Sequence, residues 1–174
     1  MPIWLVRANQ NAGDVDGIIR TARLVIEEPQ LDNLRSYDDK LALRNAMTAD
    51  GVDESELRDR SDGVWRFFQK LQRNESVLLP IDDGAHFLLG QIESDYHYLG
   101  EAEPQHRHAR QVFWRRTALE AAELPAGVRD LMERGKPLAN LCPVELENQI
   151  YELFEAKTQT GFVKDGMAPE EVKV

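Results

Sequence analysis

The pattern of apolar and polar positions is clearest between Ser76 and Trp114. Two apolar runs, Ser76–Ile81 and Ala85–Ile92, flank Asp82-Asp83-Gly84. Short apolar runs parted by a turn signal predict a β-hairpin, and Gly84 supplies backbone that takes positive φ at little cost. A third strand is predicted at about 109–115, with Arg110, Val112 and Trp114 on one face and Gln111, Phe113 and Arg115 on the other. Pro80 has no N–H for a ladder, which predicts an edge or a bulge there. Gly90 predicts a bulge or sharp bend.

Earlier in the chain, Ile3–Ala8 reads as a strand. Trp4 and Val6 face one way; Ile3, Leu5 and Arg7 face the other. Residues 9–17 are polar and glycine-containing, and read as a loop. A second strand is expected at Arg23–Ile26, before Pro29. Ser36-Tyr-Asp-Asp39 resembles a capping box, predicting a helix to about Met47 with Tyr37, Leu41 and Met47 inward. Another helix start falls near Asp53 or Ser55. Ser61 reads as the N-cap of a helix over 62–73, striped by Val64, Phe67, Phe68 and Leu71. Residues 120–124 read as a linker. A short helix over 125–132 ends near Gly135, and an amphipathic helix over 143–156 carries Leu146, Ile150, Leu153 and Phe154. A frayed tail is expected over 157–174, at the end of the acidic stretch 143–174. The expected division is a barrel domain over 1–140 and a C-terminal helix with its tail over 141–174.

The hydrophobic fraction of 42% is enough for a core. No run has the length of a membrane span, and the single cysteine, Cys142, suits a reducing cytoplasm. The net charge of −10 argues against a uniformly basic nucleic-acid binder. Its distribution changes that picture. Residues 27–63 hold 11 acids and 5 bases, and residues 143–174 hold 7 acids and 3 bases, so these two stretches account for the whole excess. The strand-rich region between them carries Arg107, Arg110, Arg115 and Arg116, and is expected to own a local basic surface.

Candidate chemistry is sparse. His106 and His108 alternate across Arg107, so an extended chain puts both on one side. With His97 and Cys142 they lack the paired spacing of a zinc site, and neither metal nor cofactor is expected. No phosphate loop and no nucleophile motif is present, and Glu155-Ala-Lys157 matches only a fragment of a nuclease motif. Catalysis is not expected. Tyr96, His97, Tyr98, His106, Arg107 and His108 crowd one loop. Such rings and guanidinium groups suit stacking on a base, but spacing alone favours a polar surface loop whose tyrosines cover the hairpin. Trp65 stands beside its helix stripe, either packed at the core's edge or stacked on a planar ligand.

Taken in order, Trp4-Leu-Val-Arg-Ala8, Gly63-Val-Trp-Arg-Phe-Phe68, Ser76-Val-Leu-Leu-Pro80, Leu88–Tyr98, His106-Arg-His108 and Val112-Phe-Trp114 resemble the N-terminal EVE/YTH/PUA-like domain of Mrr-like, modification-dependent restriction proteins. The resemblance spans residues 3 to about 135. It implies an α+β fold: a small, bent, PUA-like β-barrel flanked by helices, followed here by the C-terminal amphipathic helix. It also implies a non-catalytic module that captures a flipped, methylated base in an aromatic cage. The positions it singles out are Arg7, Trp65, Tyr96, Tyr98, His106, Arg107 and Trp114. His106 and Arg107 are expected on phosphate, and Trp65, Tyr96 or Tyr98 on the base. Where such relatives commonly carry Gly-Trp, this chain has Glu27-Glu28. The expected partners are nucleic acid, DNA ahead of RNA, and an effector protein or a second copy at the last helix. The alternative from the acidic charge is a protein-interaction or self-association module with a degenerate pocket.

Overall fold

A computed structural model describes residues 2–6, 19–49, 51, 53–135, 138–141 and 144–165. The fold is α+β, a curled, half-barrel mixed sheet with helices packed around it. The strands are β1 (Ile3–Val6), β2 (Arg23–Ile26), β3 (Ser76–Ile81), β4 (His86–Ile92), β5 (His97–Tyr98), β6 (His108–Trp114), β7 (Leu119–Glu120) and β8 (Leu138–Asn140). Their order is β2-β6-β4-β3-β1-β8, with β5 added to β6 and β7 to β4. β1 runs parallel to β3, and the other recorded pairs are antiparallel. The helices are α1 (Lys40–Ala49), α2 (Glu54–Gln69), α3 (Ala126–Arg134) and α4 (Val144–Asp165).

The alternation in β1 reports two cores, not one wet and one dry face. Trp4 and Val6 join an inner cluster with Leu43, Met47, Val64, Phe67 and Trp114. Ile3 and Leu5 join an outer cluster with Val128, Leu146, Ile150 and Phe154. A strand covered on both faces has no use for polar residues, hence the unbroken Ile-Trp-Leu-Val. α1 and α2 cover the inner face; α3 and α4 cover the outer one.

The hairpin falls where the pattern predicts it, with Asp82, Asp83 and Gly84 all at positive φ. Gly135 ends α3 in the left-handed conformation, relieving the helix's last carbonyls. Other expectations need correction. The helix after Ser36 begins four residues later: residues 34–36 form a 3₁₀ turn, and Asp39 Oδ1 accepts from the Ala42 N–H at 2.8 Å. The shift rotates Leu41 out to 64% exposure and turns Leu43 inward beside Met47. Ser61 caps nothing. It is buried inside the continuous α2, its hydroxyl donating to the Arg58 carbonyl at 3.1 Å, while Asp53 is the cap. Pro80 sits in an internal strand, beyond Leu78, the last β3 residue recorded opposite β1. Its missing N–H therefore breaks no bond of that ladder. Residues 119–124 are not a linker: β7 pairs with β4, and Glu120 and Glu123 close a capping box.

Candidate functional site

The predicted site residues fall in two places. Trp65, Tyr96 and Tyr98 belong to one chain of rings. Trp65 meets Phe68 edge-on at 5.7 Å between centroids, and Phe68 meets Tyr96 at 5.2 Å. Tyr96 stacks on His108 at 6.0 Å, and Tyr98 tilts against His108 at 5.5 Å. The middle of this chain is core. Tyr96 is 1% exposed and His108 is fully buried, while Trp65 and Tyr98 are half-buried at the two ends. The rings are thus brought together, but around one another.

The polar atoms in that core close into a single pathway. The Leu34 N–H donates to the Tyr96 hydroxyl at 3.1 Å, and that hydroxyl lies 2.8 Å from His108 Nδ1. His108 Nε2 lies 3.1 Å from the Glu28 carbonyl. A carbonyl only accepts, so Nε2 carries the proton and Nδ1 accepts from Tyr96. Arg35 adds a bond to the Tyr96 carbonyl at 2.5 Å, and Arg60 holds the Glu28 carboxylate at 2.6 Å. Together these contacts strap residues 28–36 over the rings. Burial pushes the Tyr96 hydroxyl up to about 12, keeping it a donor at neutral pH. Burial also lowers His108 below its ordinary value, against the opposing pull of the Glu28 carbonyl.

Stability should therefore fall on mild acidification. Above an ordinary histidine's value of about 6.5, both folded and unfolded chains hold a neutral imidazole and the network is intact. As pH falls below it, the unfolded imidazole takes a proton that the buried one refuses. The expected loss is at most about 1.4 kcal/mol per pH unit from this group. It is read as the change in Tm between pH 7 and 5.5, and His108→Gln should flatten that slope. An unchanged slope in the variant would assign the acid response to the carboxylates instead.

His106 and His108 do not share a face. Residues 104–106 form a 3₁₀ turn rather than extended chain, leaving His106 exposed and His108 beneath the strap. Arg107 donates from Nε to the Ala102 carbonyl at 3.2 Å and closes its own loop. Arg7 and Cys142 lie outside the described residues. Arg110 leaves the expected basic surface altogether, being 3% exposed. Its guanidinium donates to the carbonyls of Phe67, Ser94 and Phe68 at 2.8, 3.1 and 2.9 Å. Two of those carbonyls end α2, where the helix offers no partners of its own. Desolvation pulls Arg110 down to about 10, still charged at neutral pH.

Trp114 stands elsewhere, in the wall of an open cavity of about 800 Å³ above the β4–β6 pairing. Gly90, opposite Trp114 in the ladder, allows its close approach: a Cβ there would lie 2.5 Å from Trp114 Cε3 and 2.5 Å from Val112 Cγ1. Arg115, Arg116 and Thr117 continue the wall beyond β6, and Tyr151 closes it from α4. The Tyr151 hydroxyl donates to Ser76 Oγ at 2.8 Å, and burial raises its value. The Trp114 indole N–H is buried without a partner among the described residues. A cavity of this size suits a small planar molecule, with an aromatic wall, hydroxyl groups to orient it and two guanidinium groups for negative charge. Of the predicted residues that the structure describes, only Trp114 lines it. Arg115 and Arg116 belong to the local basic surface that the charge distribution predicts, whereas Tyr151 carries no sequence signal, lying between stripe positions of α4.

Among the described residues no helix is long and apolar enough to cross a membrane. Compared with known proteins, the chain matches no family model and no curated sequence.

Proposed function

We propose that the chain is a non-catalytic, PUA-like nucleic-acid-binding module that captures a flipped, modified base in the cavity beside Trp114. The observation that carries this reading is the exposed ring of Phe113 in a cavity that also holds Arg115 and Arg116. A flipped base loses its stacking partners, and the exposed Phe113 ring replaces them while guanidinium groups meet the flanking phosphates. The EVE/YTH/PUA-like resemblance of the sequence supplies the ligand class, methylated bases, and a restriction or defence setting. The ring chain at Tyr96 then serves as support for the barrel rather than as the cage.

A fluorescence-anisotropy titration tests the reading. Single- and double-stranded DNA and RNA, each unmodified or carrying methylated adenine or cytosine, are titrated at two salt concentrations. One modified base is expected to bind preferentially. Arg116→Ala should weaken binding of all sequences and lower the salt slope by about one. Trp65→Ala should leave affinity within about twofold, since Trp65 does not line the cavity. Absence of binding to every probe at low salt sinks the reading and turns attention to the acidic interaction surface.

A further inference from the structure

α4 does more than cover the outer face of the sheet; it reaches the cavity. Tyr151 lines it and is anchored on Ser76. One turn further, on the same side of the helix, Glu155 Oε2 lies 3.5 Å from Arg115 Nη1. Arg115 itself lines the cavity. Its backbone is fixed, the N–H donating to the Leu89 carbonyl at 2.9 Å, so only the side chain is free to turn. The pair with Glu155 is weak, because its two side chains are 36% and 60% exposed. Such a pair is worth at most about fivefold in an equilibrium constant. A phosphate in the cavity offers Arg115 a stronger, bidentate partner in a less hydrated place.

We propose that Arg115 exchanges Glu155 for the anionic group of the cavity's ligand, so that a phosphate-bearing ligand, and not a neutral nucleoside, undoes this clasp on α4. The proposal rests on the base-capture reading and adds its output: occupancy is reported through the C-terminal helix. Linkage makes the effect reciprocal. Whatever factor the ligand costs the clasp, the loss of Glu155 returns to ligand affinity. The second clasp on the same stretch, Lys157 Nζ to Glu123 Oε2 at 2.9 Å, does not involve the cavity and stays closed.

The test uses the full chain and two probes: a five-nucleotide single-stranded DNA with a central N6-methyladenine, and the neutral nucleoside N6-methyl-2′-deoxyadenosine. Glu155→Gln is expected to tighten the oligonucleotide by about two- to fivefold and to leave the nucleoside unchanged. Glu152→Gln removes the same charge from an exposed position on the same helix, and should change affinity by less than about 1.5-fold. In an Arg115→Gln background the gain from Glu155→Gln should vanish. Amide exchange over residues 150–156 should quicken when the oligonucleotide binds the wild type, and not in Glu155→Gln. Equal gains from the two glutamate variants, or a gain that survives Arg115→Gln, overturn the exchange. Wild-type binding with no effect of Glu155→Gln overturns the exchange alone, whereas no wild-type binding of either probe overturns the base-capture reading and the exchange with it.

Discussion

Arg110→Met is expected to lower the unfolding free energy by about 3–5 kcal/mol, the largest single-site effect expected outside the apolar core. The guanidinium is buried and its donors are spent on the carbonyls of Phe67, Phe68 and Ser94. Methionine matches much of the side chain's volume but donates nothing. Three carbonyls, two of them buried and that of Phe68 partly so, then lose their partner at once, and two lie at the end of α2, where the helix cannot supply another. The positive charge also lies where the helix dipole is negative. Lysine is no remedy: a compact ammonium cannot span three carbonyls that a planar fork reaches. Arg110→Lys should therefore lose more than half of what Arg110→Met loses. Urea unfolding followed by circular dichroism measures both, as a fall in the midpoint at constant m. A loss below about 1 kcal/mol in Arg110→Met would show that water replaces the guanidinium, and that α2 does not depend on this cap.

The same residue shows what was legible in the sequence. Alternation along β6 places Arg110 with Val112 and Trp114, and that face is buried. A cation on a buried face announces that it has partners, but not where. The partners lie 16 to 43 residues away, and no spacing rule reaches that far. The buried pairing of Tyr96 with Leu34, 62 residues apart, was hidden for the same reason. Period-2 alternation and turn chemistry, by contrast, are local, and they place β1, the β3–β4 hairpin and β6 well. The sequence pattern divides α2 in two because Ser61-Asp62-Gly63 has the composition of a helix boundary. In the fold Ser61 and Gly63 are both buried, and tertiary packing overrides their weak local preference. β8 has three residues, too few for a period to show. The cavity itself was half legible: Gly90 and Trp114 each stood out, but only the register of β4 against β6 sets one opposite the other.

That register makes Gly90 the position where fold and proposed function are tested together. Gly90→Ala is expected to destabilise the protein by about 1–3 kcal/mol and to abolish base discrimination. The added Cβ falls 2.5 Å from Trp114 Cε3 and from Val112 Cγ1, and 2.9 Å from Trp114 Cζ3. Neither neighbour is the free end of a flexible chain. The Val112 methyl group is one bond from a β-carbon held in the ladder, and the indole is a rigid plane in the core. Relief must come from a movement of the ring, and with it of β6, whose Phe113 walls the cavity together with Arg115 and Arg116 just beyond the strand. Stability and binding should therefore fall together, unlike Arg116→Ala, which should touch binding alone. Val112→Ala removes one of the two clashes. The double variant should be more stable than the sum of the single losses predicts, by about 0.5–3 kcal/mol, because the two residues compete for one space. Strict additivity in urea unfolding would mean that the strand itself shifts to admit the methyl group. Full retention of modified-base preference in a stably folded Gly90→Ala would show that the base does not depend on the position of the β6 wall.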